Sequence, residues 1–572
     1  MENPDVAQIF DEVADLLELQ GENPFRIRAY RRAAVTVRDL AEPLAGMIKK
    51  HPEQLTELNG IGADLADKIT TIVKTGDLPL RRDLCKHVPA GLRELMTIPG
   101  CGPKRAILLH KKLKIDSIDD LRRAAARHAI SKLKGFGAKS EDNILKALEG
   151  LSETSRRMYL ADAQAFAEAI IQHFKSCPGV TEVDMAGSYR RRKETVGDLD
   201  ILVVCKTAGK AMDRLAHFEG VAQVLARGGT KSSVRLRNGL QLDLRAVPEA
   251  SYGAALLYFT GSKQHNILIR RLGIERGLKI NEYGVFRGAR RIAGRTEQEV
   301  YRAVGLPWIP PELREGRNEI ELARAGKLPS LVELGDIRGD LHMHTTATDG
   351  RSSIEEMIRA AKARGYKYIA ITDHSKRVTM AKGLDARRLR AHWANIEKVS
   401  QAITGLTILR GVELDILEDG RLDLPDSVLA EADWVVASIH YGQNQSEKQI
   451  TRRVLNAIRN PHVDAIGHPT GRLIGKRKPY AINLDEVFKA AADYGCMLEI
   501  NCQPSRLDLD EIAAAAAKQG GIPLVLGTDA HSTEELRFMQ FGVFQARRAG
   551  LEAKDIANTR SLSQFRRWSK HS

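Results

Sequence analysis

From residue 368 to residue 527 the chain repeats one pattern, a short apolar run followed by a stretch with helical spacing and then another apolar run. The runs are Tyr368-Ile-Ala-Ile-Thr, Leu406-Thr-Ile-Leu-Arg-Gly-Val-Glu, Trp434-Val-Val-Ala-Ser-Ile, Ala465-Ile-Gly, Met497-Leu-Glu-Ile-Asn and Ile522-Pro-Leu-Val-Leu-Gly. Repeated β-α units of this kind predict a parallel barrel, whose chemistry sits where the strands end. The residues found there are of one chemical type. Asp340-Leu-His342-Met-His344, with Asp349 after it, opens the segment, and Asp373-His374, Glu413, His440, His468 and Asp529-Ala-His531 come at later strand ends. On a strand, His-x-His puts both imidazoles on one face at a spacing suited to one metal. A single such histidine is more often a hydrogen-bonded core residue, but several at successive strand ends point to a metal cluster.

The chain has 572 residues, which at roughly 100–200 residues per domain means about three to five domains and excludes a one-function miniature. Its net charge is +15, and the surplus is uneven: residues 1–330 carry 54 basic and 42 acidic side chains, residues 331–572 carry 34 and 31. The N-terminal excess fits either an extended polyanionic partner or a solvated basic surface. Histidine runs the other way, seven before residue 330 and nine after it. The six cysteines form no C-x-x-C pair, so neither a disulfide framework nor a thiolate zinc site is expected and a reducing compartment fits. No signal segment opens the chain and no apolar run reaches a membrane-spanning length, so the expectation is a cytoplasmic protein with no membrane partner.

Residues 5–150 read as short amphipathic helices broken by glycine-rich turns, with Val6, Ile9, Val13, Leu16 and Leu17 on one helical face. One phrase occurs three times: Leu58-Asn-Gly60-Ile-Gly62-Ala, Ile98-Pro-Gly100-Cys-Gly102-Pro and Leu133-Lys-Gly-Phe-Gly-Ala, each leading into a helical segment with Lys or Arg nearby, such as Lys104. Two glycines allow a tight turn that exposes backbone N–H groups at the next helix start, and such a turn can hold a nucleic-acid phosphate without reading sequence. The phrases resemble helix-hairpin-helix motifs, the third least well.

From about 155 the pattern becomes α+β, with a helical stretch from Tyr159 to Phe174 and strand-like runs at Val180–Ala186, Leu199–Val204 and Gly239–Leu244. Asp198 and Asp200 alternate on one strand and so share a face, and Asp243 on a second strand completes a three-carboxylate cluster suited to Mg2+. Gly187, Ser188 and Arg191 just before it supply backbone N–H, hydroxyl and guanidinium groups for a triphosphate. Gly-Ser followed by Asp-x-Asp is the nucleotidyltransferase pattern of the polymerase beta superfamily. Tyr258-Phe259-Thr-Gly261-Ser262, with Asn266 and Arg270 after it, resembles the nucleotide-pocket segment of family X DNA polymerases, and Arg28-Ala-Tyr-Arg-Arg-Ala-Ala resembles that family's small amino-terminal domain. The resemblance implies that Tyr258 and Phe259 pack beside the incoming sugar, that Asn266 meets the base edge and that Arg270 lies near the templating pair; Lys263 stands where other members differ. It also puts Lys68 at the position of a Schiff-base lyase lysine. Asp64 and Asp67 flank Lys68, and Arg26 stands where the family often has Lys, so phosphate binding is the competing role.

The histidine-rich segment resembles the polymerase and histidinol phosphatase (PHP) domain, a distorted seven-stranded β/α barrel that binds up to three metals. The resemblance implies one ion on His342, His344, Glu413 and Asp529, a second on Glu413, His440 and His468, and a third on Asp349, His374 and His531. Mn2+ or Zn2+ is the expected metal, and the carboxylate at Asp349 tilts that site toward manganese. Metal-assisted hydrolysis of a phosphate ester is the implied chemistry, and Arg421, Lys476 and Arg477 are either phosphate grips or a solvated basic loop.

Together the resemblances imply a multidomain α+β and α/β chain: helix-hairpin-helix regions at 1–80 and 81–152, a polymerase beta-like palm at 153–250, a thumb at 251–320, a linker at 321–335 and a PHP barrel at 336–572. Such a chain is expected to be a monomeric gap-filling polymerase of base excision repair using gapped or primer-template DNA, deoxynucleoside triphosphates and Mg2+, with a PHP-domain 3′-5′ exonuclease or abasic-site or 3′-end-processing activity. Two other readings stand beside it, a nucleotidyltransferase with another acceptor and a DNA-binding scaffold with a lapsed centre. The intact Asp triad and the nine ligand positions weigh against the scaffold.

Overall fold

Residues 1–156 and 157–572 form two separate units. The computed structural model describes residues 3–571 apart from 40–43, 45–46, 49–50, 59, 89–91, 93–94, 97–100, 134–135, 138–139, 142–143 and 146–156. The described part of the first unit is helical, with α-helices at Asn3–Gln20, Pro24–Asp39, Ala63–Thr75, Pro79–His87, Pro103–Leu113 and Ile118–Ala126. Val6, Ile9, Val13, Leu16 and Leu17 are buried, as their helical spacing requires. Gly62 and Gly102 immediately precede the helices Ala63–Thr75 and Pro103–Leu113, neither of which has a side-chain cap. Gly60 adopts a φ of 80°, with the Arg32 side chain packed where a Cβ would stand, so the first turn depends on glycine. Gly100, and Lys134, Gly135 and Ala138 of the third phrase, lie outside the described residues.

The second unit opens with the helix Leu160–Lys175 and a five-stranded sheet in the order Val180–Met185, Asp198–Cys205, Gln241–Val247, Lys231–Leu236, Val221–Arg227. The Asp198–Cys205 strand is buried on both faces. Ile201 and Val203 pack with Leu160, Ala167 and Phe174, while Leu202 packs with Ala255 and Leu256 of the helix Tyr252–Thr260. Alternation therefore directs Asp198 and Asp200 toward the side of that helix. The edge strand Val221–Arg227 is exposed along nearly its whole length and carries no apolar alternation that would mark it in the sequence.

The helix Lys263–Glu275, a small antiparallel sheet and the helix Glu297–Ala303 complete the thumb. Glu297 is buried and takes two bonds from Arg190 at 2.7 and 2.9 Å and two from Arg314 at 2.6 and 3.0 Å. Burial alone would raise its pKa, but the two guanidiniums hold it well below the carboxylate range. A further helix, Glu319–Arg324, runs into the stretch expected to be a linker.

The barrel has seven parallel strands in sequential order: Gly339–Asp340, Tyr368–Ile371, Thr407–Asp415, Trp434–Ser438, Ala465–Ile466, Met497–Asn501 and Leu524–Gly527. All six apolar runs are strands. The ring is drawn together beyond the last strand, where His344 N donates to Ala530 O and Asp529 N donates to His342 O, both at 2.8 Å. Tyr368, Leu409, Trp434, Val436 and Met497 form a cluster with Phe565 from the C-terminal segment. The indole of the fully buried Trp434 donates to Leu341 O at 2.9 Å. Trp434→Ala is expected to cost about 3–5 kcal/mol, seen as a lower melting midpoint, whereas Tyr494→Ala, at a half-exposed surface position, is expected to leave the midpoint within about a degree.

Candidate active sites

The parallel pairing of Asp198–Cys205 with Gln241–Val247 places Asp200 directly across from Asp243, and Asp198 shares the face of Asp200. Burial, then Asp198 and Asp243, push Asp200 up to about 7, and burial with Asp243 also raises Asp198. Gln241 Nε2 donates to both Asp243 oxygens at 3.1 Å. Three crowded carboxylates with no lysine or arginine bonded among them suit a divalent cation, and an all-oxygen set suits Mg2+. Gly187 has a φ of 59°, and a Cβ there would collide with Asp200 Oδ2, so the Gly187-Ser188 turn approaches the acid only as glycine.

The acids Asp198 and Asp200 open on a cleft of about 600 Å3 lined by Gly187, Ser188, Arg191, Lys193, Tyr258, Phe259, Gly261, Lys263, Asn266 and Arg270, together with Arg157. Ser262, expected among the nucleotide contacts, is not in this lining: its hydroxyl accepts from His265 N at 3.2 Å and caps the helix Lys263–Glu275. Tyr258 and Phe259 meet edge to face at 5.1 Å, and Arg245 lies over Phe259. Asn266 Nδ2 donates to Tyr258 O at 2.7 Å, while its buried Oδ1 has no hydrogen-bond partner among the described residues. Arg270 Nε donates to Asn266 O at 3.3 Å. In the N-terminal unit Lys68 is ion-paired with Asp64 and stands 5.9 Å from the Tyr30 ring centroid, and Lys104 is exposed.

At the barrel's C-terminal end all nine expected ligands converge. Ligand atoms of His342, His344 and Asp529 lie within 4.8 Å of one another, as do those of His374, Glu413 and His440, and those of His344, Asp349, His374 and His531. His468 Nε2 is 3.0 Å from Glu413 Oε1. His374 stands between two groups, its Nδ1 2.8 Å from Glu413 and its Nε2 3.4 Å from Asp349. Burial opposes charge on His342, His374 and His531, yet the acids win: Glu499, Glu413 and Asp529 raise His342 well above its ordinary value, His374 rises to about 10 and His531 to about 9. His344, buried beside His531 and His374, drops to about 4. Among the described residues, the buried His342 Nε2 and His344 Nδ1 and Nε2 have no partner in hydrogen-bond geometry, and a metal ion would satisfy them. The donor set of imidazoles and carboxylates fits Mn2+ or Zn2+.

Behind these ligands stand carboxylates that no motif in the sequence marks. Glu499 Oε1 takes His342 Nδ1 at 2.7 Å and its Oε2 accepts from His468 N at 2.7 Å, so His342 is left with Nε2 facing the cluster. Asp415 Oδ1 lies 3.2 Å from His440 Nδ1. Of the expected phosphate grips, Arg421 is an exposed ion pair with Asp419, Arg477 donates back to Gly471 O, and Lys476 is exposed. Arg506 is a better-placed cation, its Nε 3.8 Å from Asp529 Oδ2.

Comparison with known proteins matches these regions one by one. Residues 157–275 match the DNA polymerase beta palm, 255–315 the DNA polymerase beta thumb and 340–503 the PHP domain. Residues 1–78 match a helix-hairpin-helix domain and 92–149 a SAM-like helix-hairpin-helix tandem. A Bacillus subtilis protein named "DNA polymerase/3'-5' exonuclease PolX" is 39% identical over 566 residues, 98% of each chain. The chain belongs to the family X DNA polymerases that carry a PHP domain. Its barrel alone is similar to proteins named "Probable phosphatase", one from Thermoanaerobacter sp. (strain X514) at 32% identity over 38% of this chain and 89% of that protein. Another, from Photobacterium profundum, is 32% identical over 34% of this chain and 77% of its own. Among the described residues no helix of this family X chain is long and apolar enough to cross a membrane.

Two outcomes follow from the electrostatics. Asp200 titrates at about 7 in the fold against an ordinary 3.8. A raised acid destabilises the fold once ionised, a cost that grows from about pH 4 to about pH 7 and persists above. Asp200→Asn is therefore expected to stabilise the chelator-treated protein by about 2–4 kcal/mol at pH 8 and to have little effect near pH 4, measured by thermal melting. Glu499→Gln, which removes the charge behind His342, is expected to weaken metal retention about 10- to 100-fold in a chelator competition.

Proposed function

We propose that the chain is a template-directed, gap-filling DNA repair polymerase whose barrel trims or processes 3′ ends as a metal-dependent phosphodiesterase. The observation that carries the first half is the register of Asp200 against Asp243 at the mouth of a cleft that holds Arg191, Lys193, Tyr258 and Asn266 together. Asp198, Asp200 and Asp243 would hold Mg2+, which when bound supplies the positive charge that nucleotidyl transfer to a 3′-hydroxyl requires. Ser188, Arg191 and Lys193 bind the triphosphate of an incoming deoxynucleotide, the Tyr258 and Phe259 rings pack beside its sugar, and Asn266 Oδ1 accepts from its base. The two activities in the name of the B. subtilis relative, DNA polymerase and 3'-5' exonuclease, support both halves of this reading.

In the barrel His342, His344, Asp349, His374, Glu413, His440, His468, Asp529 and His531 would hold Mn2+ or Zn2+, up to three ions, which supply Lewis-acid activation for phosphodiester hydrolysis. Glu499 and Asp415 fix the ring orientations of His342 and His440, and Arg506 supplies a cation beside the cluster. The glycine phrases Gly60-Ile61-Gly62 and Gly100-Cys101-Gly102, with Lys104, hold DNA phosphates. Lys68 belongs with them: the Asp64 pairing engages its ammonium, which argues against a Schiff-base nucleophile. The cytoplasm is the compartment that fits this role.

The test is a 5′-phosphorylated one-nucleotide gap incubated with Mg2+ or Mn2+, with and without deoxynucleotides, scoring primer extension and shortening separately. Asp198→Ala is expected to lower extension at least about a hundredfold and to leave shortening intact. His344→Ala and His468→Ala are expected to do the reverse. Extension retained in the first variant, or shortening in the others, overturns the corresponding assignment.

A further inference from the structure

The nucleotide cleft and the barrel share one charged network. Arg191, which lines the cleft, donates from Nε to Glu315 Oε1 at 3.1 Å and from Nη1 to Thr260 O. The same Glu315 oxygen accepts Arg548 Nη1 at 2.9 Å, and that nitrogen also donates to the Arg191 carbonyl at 2.8 Å. Arg548 ends the barrel helix Met539–Arg548 and its side chain is only 1% exposed. Its Nη2 donates at 2.8 Å to Glu511 Oε1, which also takes Lys193, a second cleft residue, at 3.3 Å and Arg317 at 3.2 Å.

We propose that the barrel builds the back wall of the nucleotide pocket, with Arg548 as a positioning residue that holds Arg191 through Glu315 and Lys193 through Glu511 for the triphosphate. The inference rests on the palm cleft being a deoxynucleotide site.

Four cations, Arg191, Lys193, Arg317 and Arg548, meet two carboxylates, Glu315 and Glu511, so the network, counted apart from the aspartates that would hold a cation, is net positive beside the cleft. A triphosphate is the polyanion that balances it. Burial would raise both acids, but the cations hold Glu315 and Glu511 below the ordinary carboxylate range, so both stay ionised and keep the cations aimed. A guanidinium fixed on one side by a carboxylate has fewer orientations to lose when it meets a phosphate on the other, which favours binding through preorganisation.

The experiment measures kcat and KM for a deoxynucleotide on the gapped substrate, with 3′ shortening and the melting midpoint as readouts of barrel integrity. Arg548→Met is expected to raise KM about tenfold, the size of one lost charge-assisted contact, with kcat within about threefold and shortening within about twofold. Arg548→Lys, which keeps the charge but loses the fork, is expected to recover part of that rise. Glu315→Gln separates positioning from field: removing a negative charge near the triphosphate would lower KM on charge alone, whereas loss of the Arg191 anchor raises it severalfold. This variant carries the test if Arg548→Met does not fold. A KM that falls or stays unchanged in Glu315→Gln overturns the proposal, as does an Arg548→Met protein that folds and loses kcat and shortening in equal measure. A wild-type protein that shortens the primer but never extends it overturns the underlying polymerase reading, a result distinct from either.

Discussion

The carboxylate of Glu413 is buried with five imidazole nitrogens within 3.6 Å, from His342, His344, His374, His440 and His468. Most of what the barrel does follows from the need to keep that charge compensated, because a buried acid without partners costs several kcal/mol. The imidazoles come from the ends of the first, second, fourth and fifth barrel strands and Glu413 from the third, between them. Only parallel strands in continuous register bring such residues to one point from positions up to about a hundred and thirty residues apart. The same acids raise His342, His374, His440 and His531, while His344, crowded by other imidazoles, is lowered. Metal binding and proton release are therefore coupled in this cluster.

The palm solves a related problem with less. Its three aspartates have no imidazole bonded to them among the described residues, and burial with the neighbouring acids pushes Asp200 up to about 7. What balances it is arranged around the rim, in Arg191, Lys193, Lys263 and Arg270, where an anionic nucleotide and its cation would enter together.

Much of this was legible in the sequence where the chemistry coincides with a period. Asp198 and Asp200 alternate on a strand, so their shared face follows from spacing alone. The barrel histidines stand at the ends of apolar runs, where the fold puts open coordination. Glu499 and Asp415 escaped because each lies within a strand-like run and looks like an isolated acid; only the folded ring shows a histidine nitrogen behind which it sits. Ser262 shows the ambiguity of a serine after glycine at a helix start, which serves equally as a cap and as a phosphate ligand; here its hydroxyl accepts from the backbone N–H of His265. Arg548 and Glu511 carry no local signature, since these partners lie about 190 to 360 residues earlier. The edge strand Val221–Arg227 is largely apolar but, exposed along nearly its whole length, lacks the alternation that marks a strand with one buried face.

Leu507 and Phe541 of the barrel are buried in the same apolar cluster as Leu160, Phe174, Leu199 and Leu242 of the palm, with Arg472 bonded to Glu194 at 2.7 Å beside it. The two catalytic regions are thus unlike beads on a string. A gene truncated after the thumb would encode a polymerase with a greasy scar where Leu507 and Phe541 had been, and would need new polar residues there to remain a well-behaved protein. Loss of the barrel from such a lineage is consequently a multi-step event.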